Sequence, residues 1–426
     1  MKTSRMALLA RLGLAILVTC SSSAAIADVA PGDKITPANA DKVKDLVSPG
    51  MEWCVKRGMP MKIVETKAIA MPAAYKDATE KYSAQVKLAP DGLKLESYVA
   101  GKPFPIIDTN DKQAATKIMW NYEYRWAVTD DADSRNFDAD TGPVFGGETP
   151  MAIERHFIIE HVRALRYRGR LYVDPKPTWT TPEGYQSKAA LYPILEPFDL
   201  KGVGGITHRY DDPSKNDDTW IYLPSLRRVR RLSTAQRSDA LFGQDIDVDT
   251  FFGYAGHIAW MDWKFLGEKK MLGAFHGENY PAKFAPAGAD FAFDDAWEKR
   301  DMYVIEGVSK LAQYAYGKRI IFLDKETMNV AYTDLYDRTG QLWKTYANLF
   351  TMRKKPFDAA KVSVYNDEMA FNTAEFLVDT QLQHATRVGL PSAKFPGEEG
   401  WYFNMGEKTG TSEDLFTLAH LIKSGR

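Results

Sequence analysis

Arg227, Arg228, Arg230 and Arg231 crowd four guanidinium groups into five positions. Guanidinium binds carboxylate and phosphate oxygens through paired N–H donors, so this cluster suits an acidic head group or an acidic docking partner. On a strand, Arg228 and Arg230 share one face, while Arg227, Val229 and Arg231 share the other. The plain alternative is an ion-paired edge, with Asp245, Asp247 and Asp249 close enough in the chain to balance the charge. Aromatic residues flank the cluster: Trp220 and Tyr222 before it, Trp260 and Trp263 after it, and Trp343 further on. They are either core or the apolar wall of a binding site. The candidate ligand-binding set is therefore Trp220, Tyr222, Arg228, Arg230, Trp260, Trp263 and Trp343.

Other chemistries are poorly served. The histidines form no His-Glu-x-x-His pair, and His156 and His161, five apart, would face opposite sides of one strand. The run Asp130, Asp131, Asp133, Asp138 and Asp140 has the alternation of a calcium loop without its glycine or terminal glutamate, and reads as a solvated loop. There is no Gly-x-Ser-x-Gly elbow and no phosphate-cradling loop, and Gly202 to Gly205 lacks a following helix. No catalytic constellation, metal site or cofactor site is expected. Carboxylate pairs such as Glu160 and Asp174 leave a hydrolase reading open. A formal net charge of −1 gives no field directed at nucleic acid.

The elements that must position these residues are mostly strands. Thr36-Pro37 opens a helix that should stop at Ser48-Pro49-Gly50, and Pro72 opens a second running to about Leu88. A third extends from Asp111 to Trp126, with Ile118, Met119, Tyr122 and Trp126 on one face. Residues 153–173 read as a hairpin turning near Gly169, and 274–295 as a long loop. Strands are expected over 187–194, 206–210, 302–308, 319–323, 330–336 and 341–349. Thr411-Ser412-Glu413-Asp414 resembles a capping box before a last helix. The fold class is α+β: one large antiparallel sheet with helices at the two ends. The organisation is a signal peptide over 1–27, an α+β part over 28–150, and a sheet over 151–426 continuous with it.

The pattern W-x-Y-L-P-x-x-R-R-V-R-R at 220–231, followed by G-x-D at 243–245, resembles the LolA/LolB-like periplasmic carriers. More closely it resembles a bacterial domain-of-unknown-function family labelled outer-membrane lipoprotein-sorting proteins. Tyr316-Gly317-Lys318-Arg319 leading to Asp324-Lys325, and Tyr336-Asp337-Arg338-Thr339-Gly340-Gln341-Leu342-Trp343, support it. The resemblance implies a sheet curled into an incomplete barrel, with helices covering an apolar cavity. It also implies a carrier, non-enzymatic, for a lipid or a lipoprotein acyl chain. An inner-membrane exporter or an outer-membrane acceptor protein would be its partner.

The first residues have the form of a secretory signal: Lys2 and Arg5, an apolar run from Met6 to Val18, and Ala25-Ile26-Ala27 before Asp28. Cleavage after Ala27 is expected over lipidation at Cys20, whose preceding threonine makes an imperfect lipobox. That leaves Cys54 without a disulfide partner, as a small buried apolar residue, in a periplasmic protein. Two readings stand beside the carrier: a docking subunit of an envelope complex, and a periplasmic hydrolase.

Overall fold

The computed structural model describes residues 28–353, 369–395, 397–398, 400–409 and 411–426. The expected signal peptide and Cys20 lie outside the described residues. Two short strands, β1 (Lys34–Ile35) and β2 (Met61–Ile63), bracket α1 (Pro49–Lys56). Then come α2 (Ala73–Tyr82), the small hairpin β3 (Lys87–Leu88) and β4 (Leu95–Glu96), and α3 (Ala114–Glu123). The main sheet follows: β5 (Asp131–Pro143), β6 (Arg155–Arg166), β7 (Tyr185–Leu191), β8 (Ile194–Glu196), β9 (Gly204–Tyr210), β10 (Asp218–Leu223) and β11 (Arg228–Leu232). It continues with β12 (Met261–Gly273), β13 (Ala296–Ser309), β14 (Lys318–Asp324), β15 (Val330–Tyr336), β16 (Leu342–Arg353), β17 (Met369–Asp379), β18 (His384–Gly389) and β19 (Trp401–Phe403). The chain closes on α4 (Leu418–Ser424).

Strand pairing runs β12–β13–β14–β15–β16–β17–β18–β5–β6–β7–β9–β10–β11, antiparallel throughout. β8 and β19 add to β6 and β5, and β2 joins β13 in parallel. Its two ends, β11 and β12, are consecutive in sequence, and among the described residues no pairing joins them. The sheet is thus an incomplete barrel, and residues 233–260 form the connection between its free edges.

Several expectations are corrected. The acidic run from 131 to 140 is strand, and Asp130 just before it is buried together with Asp131 and Asp133. Asp130 accepts the backbone N–H groups of Leu171, Tyr172 and Val173 at 2.7–2.9 Å, so its carboxylate replaces the water that a loop reading assumed. Residues 153–173 are not a hairpin: β6 is one strand, held by β5 on one side and β7 on the other. The helix expected to end at Ser48 is a 3-10 turn over 37–43, and Ser48 instead caps α1 by accepting from the Met51 N–H. The long segment 274–295 is an irregular connection, but its Phe291 and Phe293 are buried against Phe376.

α1 is fixed to the sheet by one carboxylate. Asp334 of β15 accepts from Ser48 Oγ at 2.9 Å, from the Gly50 N–H at 3.0 Å and from Thr345 Oγ1 at 2.9 Å. Burial pushes Asp334 up to about 6. The approach is so close that a Cβ on Gly50 would stand 2.4 Å from Asp334 Oδ1 and 2.5 Å from the Thr345 Cβ. Gly50→Ala should therefore destabilise the protein by about 1–3 kcal/mol, read as a lower urea midpoint at unchanged slope.

Candidate functional site

The connection between the free edges lies across one face of the sheet, here called the inner face, and buried charge holds it there. Arg237 reaches Asp217 at 2.9 Å and Asp249 at 2.6 Å, while Arg209 of β9 pairs with the same Asp217 at 2.8 Å. Tyr314 OH donates to Asp249 at 2.9 Å, and Tyr316 OH donates to Asp247 at 2.5 Å. Arg319 of β14 donates to the Gly253 carbonyl at 3.1 Å, and the Arg237 guanidinium sits 4.5 Å from the Trp260 ring. Asp245 binds His384 Nδ1 at 2.8 Å and Thr386 Oγ1 at 2.9 Å on β18. These acids were expected to balance Arg227 to Arg231. They instead bind Arg237, His384 and two tyrosines, because burial makes them take the partners that the inner face offers.

Over β6 to β11 the inner face is open. A cross-strand row starts at buried Trp401 and Ser134 and continues through Val162, Leu191, Gly205 and Ile221 to Arg230. The row beside it runs Phe403, Ala132, Ala164, Ala189, Thr207, Thr219 and Leu232. Val162, Ala164, Leu191, Ile221 and Leu223 are only half-buried, whereas Trp401 and Phe403 are buried. This half-exposed strip, termed the groove, is floored by small and branched apolar groups, with buried residues at its Trp401 end and exposed ones at β11. At the Trp401 end, Ser134 Oγ has no hydrogen-bond partner among the described residues. Leu223 pairs with Arg228 and Ile221 with Arg230, so both arginines share the groove's face at its open end. Arg228 and Arg230 are exposed.

The candidate set is not gathered in one place. Trp220 and Tyr222 point to the outer face, where they pack with Tyr192, Ile206 and Leu421 of α4. Trp220 meets His208 edge-on, with ring centroids 5.1 Å apart. Trp263 donates to the Ile258 carbonyl at 2.8 Å and packs edge-on against Tyr254, next to Trp260. Trp343 donates to Asp379 at 2.7 Å and lies against Tyr316. Of the set, only Arg228 and Arg230 face the groove. The apolar groups that sequence reasoning missed are Val162, Leu191, Ile221 and Leu223. Alternation from the aromatic pair was the available signal: in the run Trp220 to Leu223, every position is apolar and two belong to each face.

Two further groups of polar residues stand elsewhere. Asp138, Asp140 and His156 come together, with His156 Nδ1 2.8 Å from Asp140. Arg387 already occupies Asp140 at 2.9 Å, and Lys394 Nζ lies 2.6 Å from His156 Nε2. His161 bonds Asp133 at 2.9 Å. Asn136, at φ 55, and Glu160 opposite it drop out of the ladder, so Ala132 and Phe137 both face the core. That flip places His156 and His161 on the same side, not on opposite sides. On the inner face, Tyr346 OH accepts from the Phe252 N–H at 3.0 Å and donates to Glu375. Glu375 is 1% exposed, and burial pushes its carboxyl up to about 7. Two surface clefts of about 480 and 660 Å³ flank the loop at 211–216, away from the groove, and share Glu183 and Lys215.

An open, curved antiparallel sheet with a filled half and a bare half defines the class: a half-barrel. The chain belongs to the DUF1329 family of proteins of unknown function, whose model matches residues 34–421. That span contains all three motifs on which the resemblance rested. A relative in Pseudomonas aeruginosa, the uncharacterized protein PA3922, is 24% identical over 405 residues, covering 92% of this chain and 81% of that one. A Vibrio parahaemolyticus domain named for outer membrane lipoprotein sorting is similar at TM-score 0.49 and 16% identity, over 73% of this chain and 100% of that one. A DUF1329 protein from Desulfovibrio piger follows at TM-score 0.46 and 14% identity, over 73% and 98%. The LolA superfamily protein NE2245 from Nitrosomonas europaea has TM-score 0.37 and 15% identity, over 65% and 90%.

Arg237→Gln leaves buried Asp249 without an ion-pair partner among the described residues and Asp217 with Arg209 alone, and should lower stability by about 3–5 kcal/mol in urea unfolding. Arg228→Gln, on the exposed edge, should change it by less than about 0.5 kcal/mol. Glu375 carries a pH dependence whose sign is fixed by its raised value. Below the unfolded carboxyl value near 4.3 both states hold the proton; between there and about 7 only the unfolded state releases it, so stability falls as pH rises. Glu375→Gln should therefore raise the melting temperature at pH 8 and leave it unchanged at pH 4. A gain of equal size at both pH values would refute that assignment.

Proposed function

We propose that the protein is a periplasmic, non-enzymatic carrier that holds a lipid or lipoprotein acyl chain in the groove over β6 to β11. The observation that carries this reading is the row Val162, Leu191, Gly205, Ile221, Arg230, which leaves apolar surface half-exposed and ends in a cation. Soluble proteins bury contiguous apolar surface unless something else covers it. An acyl chain lying along the row would lose water contact at about 0.8 kcal/mol per CH₂, so ten carbons supply several kcal/mol before ordering costs. Arg228 and Arg230 would hold an acidic head group at the open end. Trp220 and Tyr222 act behind the groove, as the packing that keeps β10 in place. Release of the ligand would fall to an inner-membrane exporter or an outer-membrane acceptor protein.

Each exposed arginine contact is modest, about 0.2–1 kcal/mol. Arg228→Gln with Arg230→Gln should weaken binding of a fatty acid several-fold, leave the fatty alcohol of equal chain length nearly unchanged, and flatten the salt dependence. Ile221→Asp should weaken both ligands, because it puts a charge into the apolar floor. Displacement of a fluorescent fatty acid measures all three. If Ile221→Asp binds both ligands as the parent protein does, the groove is not the site. A clean apo mass with a stable protein partner in native mass spectrometry would favour the docking subunit.

A further inference from the structure

Two tight turns lie side by side at the mouth end of the sheet. One is the 3-10 turn Phe198–Leu200 after β8, and the other is Pro224–Leu226 between β10 and β11. They touch where Gly202 meets Pro224: a Cβ on Gly202 would stand 3.1 Å from the Pro224 ring. Each turn carries a large apolar side chain into solvent. Phe198 is 90% exposed and Leu226 49% exposed, although their neighbours Leu200 and Leu223 pack into the main apolar cluster. A phenylalanine 90% exposed at the apex of a short turn gains little from burial, so packing within the chain does not explain it.

The unpaired charges around these two residues are of one sign. Lys201, Arg227, Arg228 and Arg230 are exposed, and none forms an ion pair among the described residues. Arg227 is held at φ 52, a left-handed conformation that ends the turn and starts β11. The nearby acids are already paired: Asp199 binds Arg155 at 2.6 Å, and Glu196 lies 3.5 Å from Lys394. Arg231, on the other side of the strand, pairs with Asp218. The tip therefore presents two apolar side chains inside a ring of unpaired cations.

We propose that this tip docks on the surface of an anionic phospholipid bilayer, with Phe198 and Leu226 entering the head-group boundary and Lys201, Arg227, Arg228 and Arg230 contacting lipid phosphates. Apolar side chains on short turns with cations just behind them match the layered chemistry of that interface, apolar inward and anionic outward. An acidic protein surface would satisfy the cations but would leave Phe198 in water. The tip adjoins the open end of the groove at Leu223 and Arg228, so docking would bring that opening against the membrane.

The test is co-sedimentation of the full chain with vesicles of phosphatidylglycerol and phosphatidylethanolamine, and with vesicles of phosphatidylcholine alone. At low salt the protein should bind the first and not the second. Phe198→Ser with Leu226→Ser should lower the bound fraction about tenfold, since a buried Phe or Leu side chain is worth at least that factor. Both positions are exposed, so the melting temperature and fatty-acid binding should stay at parental values. Lys201→Gln with Arg227→Gln should weaken binding and reduce its salt dependence. Absence of binding at low salt, or equal binding to phosphatidylcholine, overturns the proposal. So does binding that the arginine and lysine changes abolish while the Phe198 and Leu226 changes leave it intact, which would mark an acidic protein partner. Vesicle binding in a protein that binds no fatty acid would sustain the tip while removing the carrier reading.

Discussion

The connection from β11 to β12 cannot leave the inner face without stripping Arg237 from Asp217, a contact that Asp249 of the same connection braces, and the architecture depends on it. A sheet whose first and last strands are consecutive in the chain has an obvious way to close: pair them. Here the connecting residues 233–260 instead turn inward, and a buried arginine between two carboxylates holds them in place. Removing these charges from water carries a large penalty that only close geometry and further hydrogen bonds repay. Arg209, Tyr314 and the Ala255 carbonyl provide those bonds. The network is less a source of net stability than a means of specifying which segment fills which part of the barrel.

That placement divides the sheet. The connection touches β14 through Arg319, β15 through Thr333, β16 through Tyr346 and β18 through Thr386. Among the described residues, its direct bonds to β6 to β11 are confined to the far end, at Arg209. One half of the inner face is therefore packed with protein, and the other half keeps its side chains half-exposed. The division follows from where the acids sit in the connection: Asp245 meets His384 and Thr386 on β18, while Asp247 and Asp249 meet Tyr316 and Tyr314 just before β14.

Much of the fold was legible because some strands advertise themselves. Lys318–Asp324, Val330–Tyr336 and Leu342–Arg353 are apolar runs separated by turn residues, and Asp337 accepts from the Thr339 and Gln341 N–H groups as the turn chemistry requires. What stayed hidden depends on partners distant in sequence. Five aspartates in eleven residues look like a solvated loop until Leu171, Tyr172 and Val173 supply backbone N–H groups to Asp130. The candidate site was legible in part. Arg228 and Arg230 do share a face, but alternation alone could not tell which side of Trp220-Ile221-Tyr222-Leu223 would be covered.

The answer came from α4. Leu421 and Phe416 form an apolar lid on the outer face, and a helix-sized lid selects the large flat side chains, Trp220, Tyr222 and Tyr192. Pairing in register then leaves only the opposite parity for the inner face, which is Ile221 on β10, Gly205 on β9 and Leu191 on β7. Small and branched groups make a shallower floor than aromatics would, and so leave room above the sheet. An aromatic wall facing inward would have filled that space with its own rings. The bare half of the barrel thus follows from two coverings applied to opposite faces: a charged connection that reaches only part of the inner side, and a short helix that draws the bulk of β7 to β10 outward.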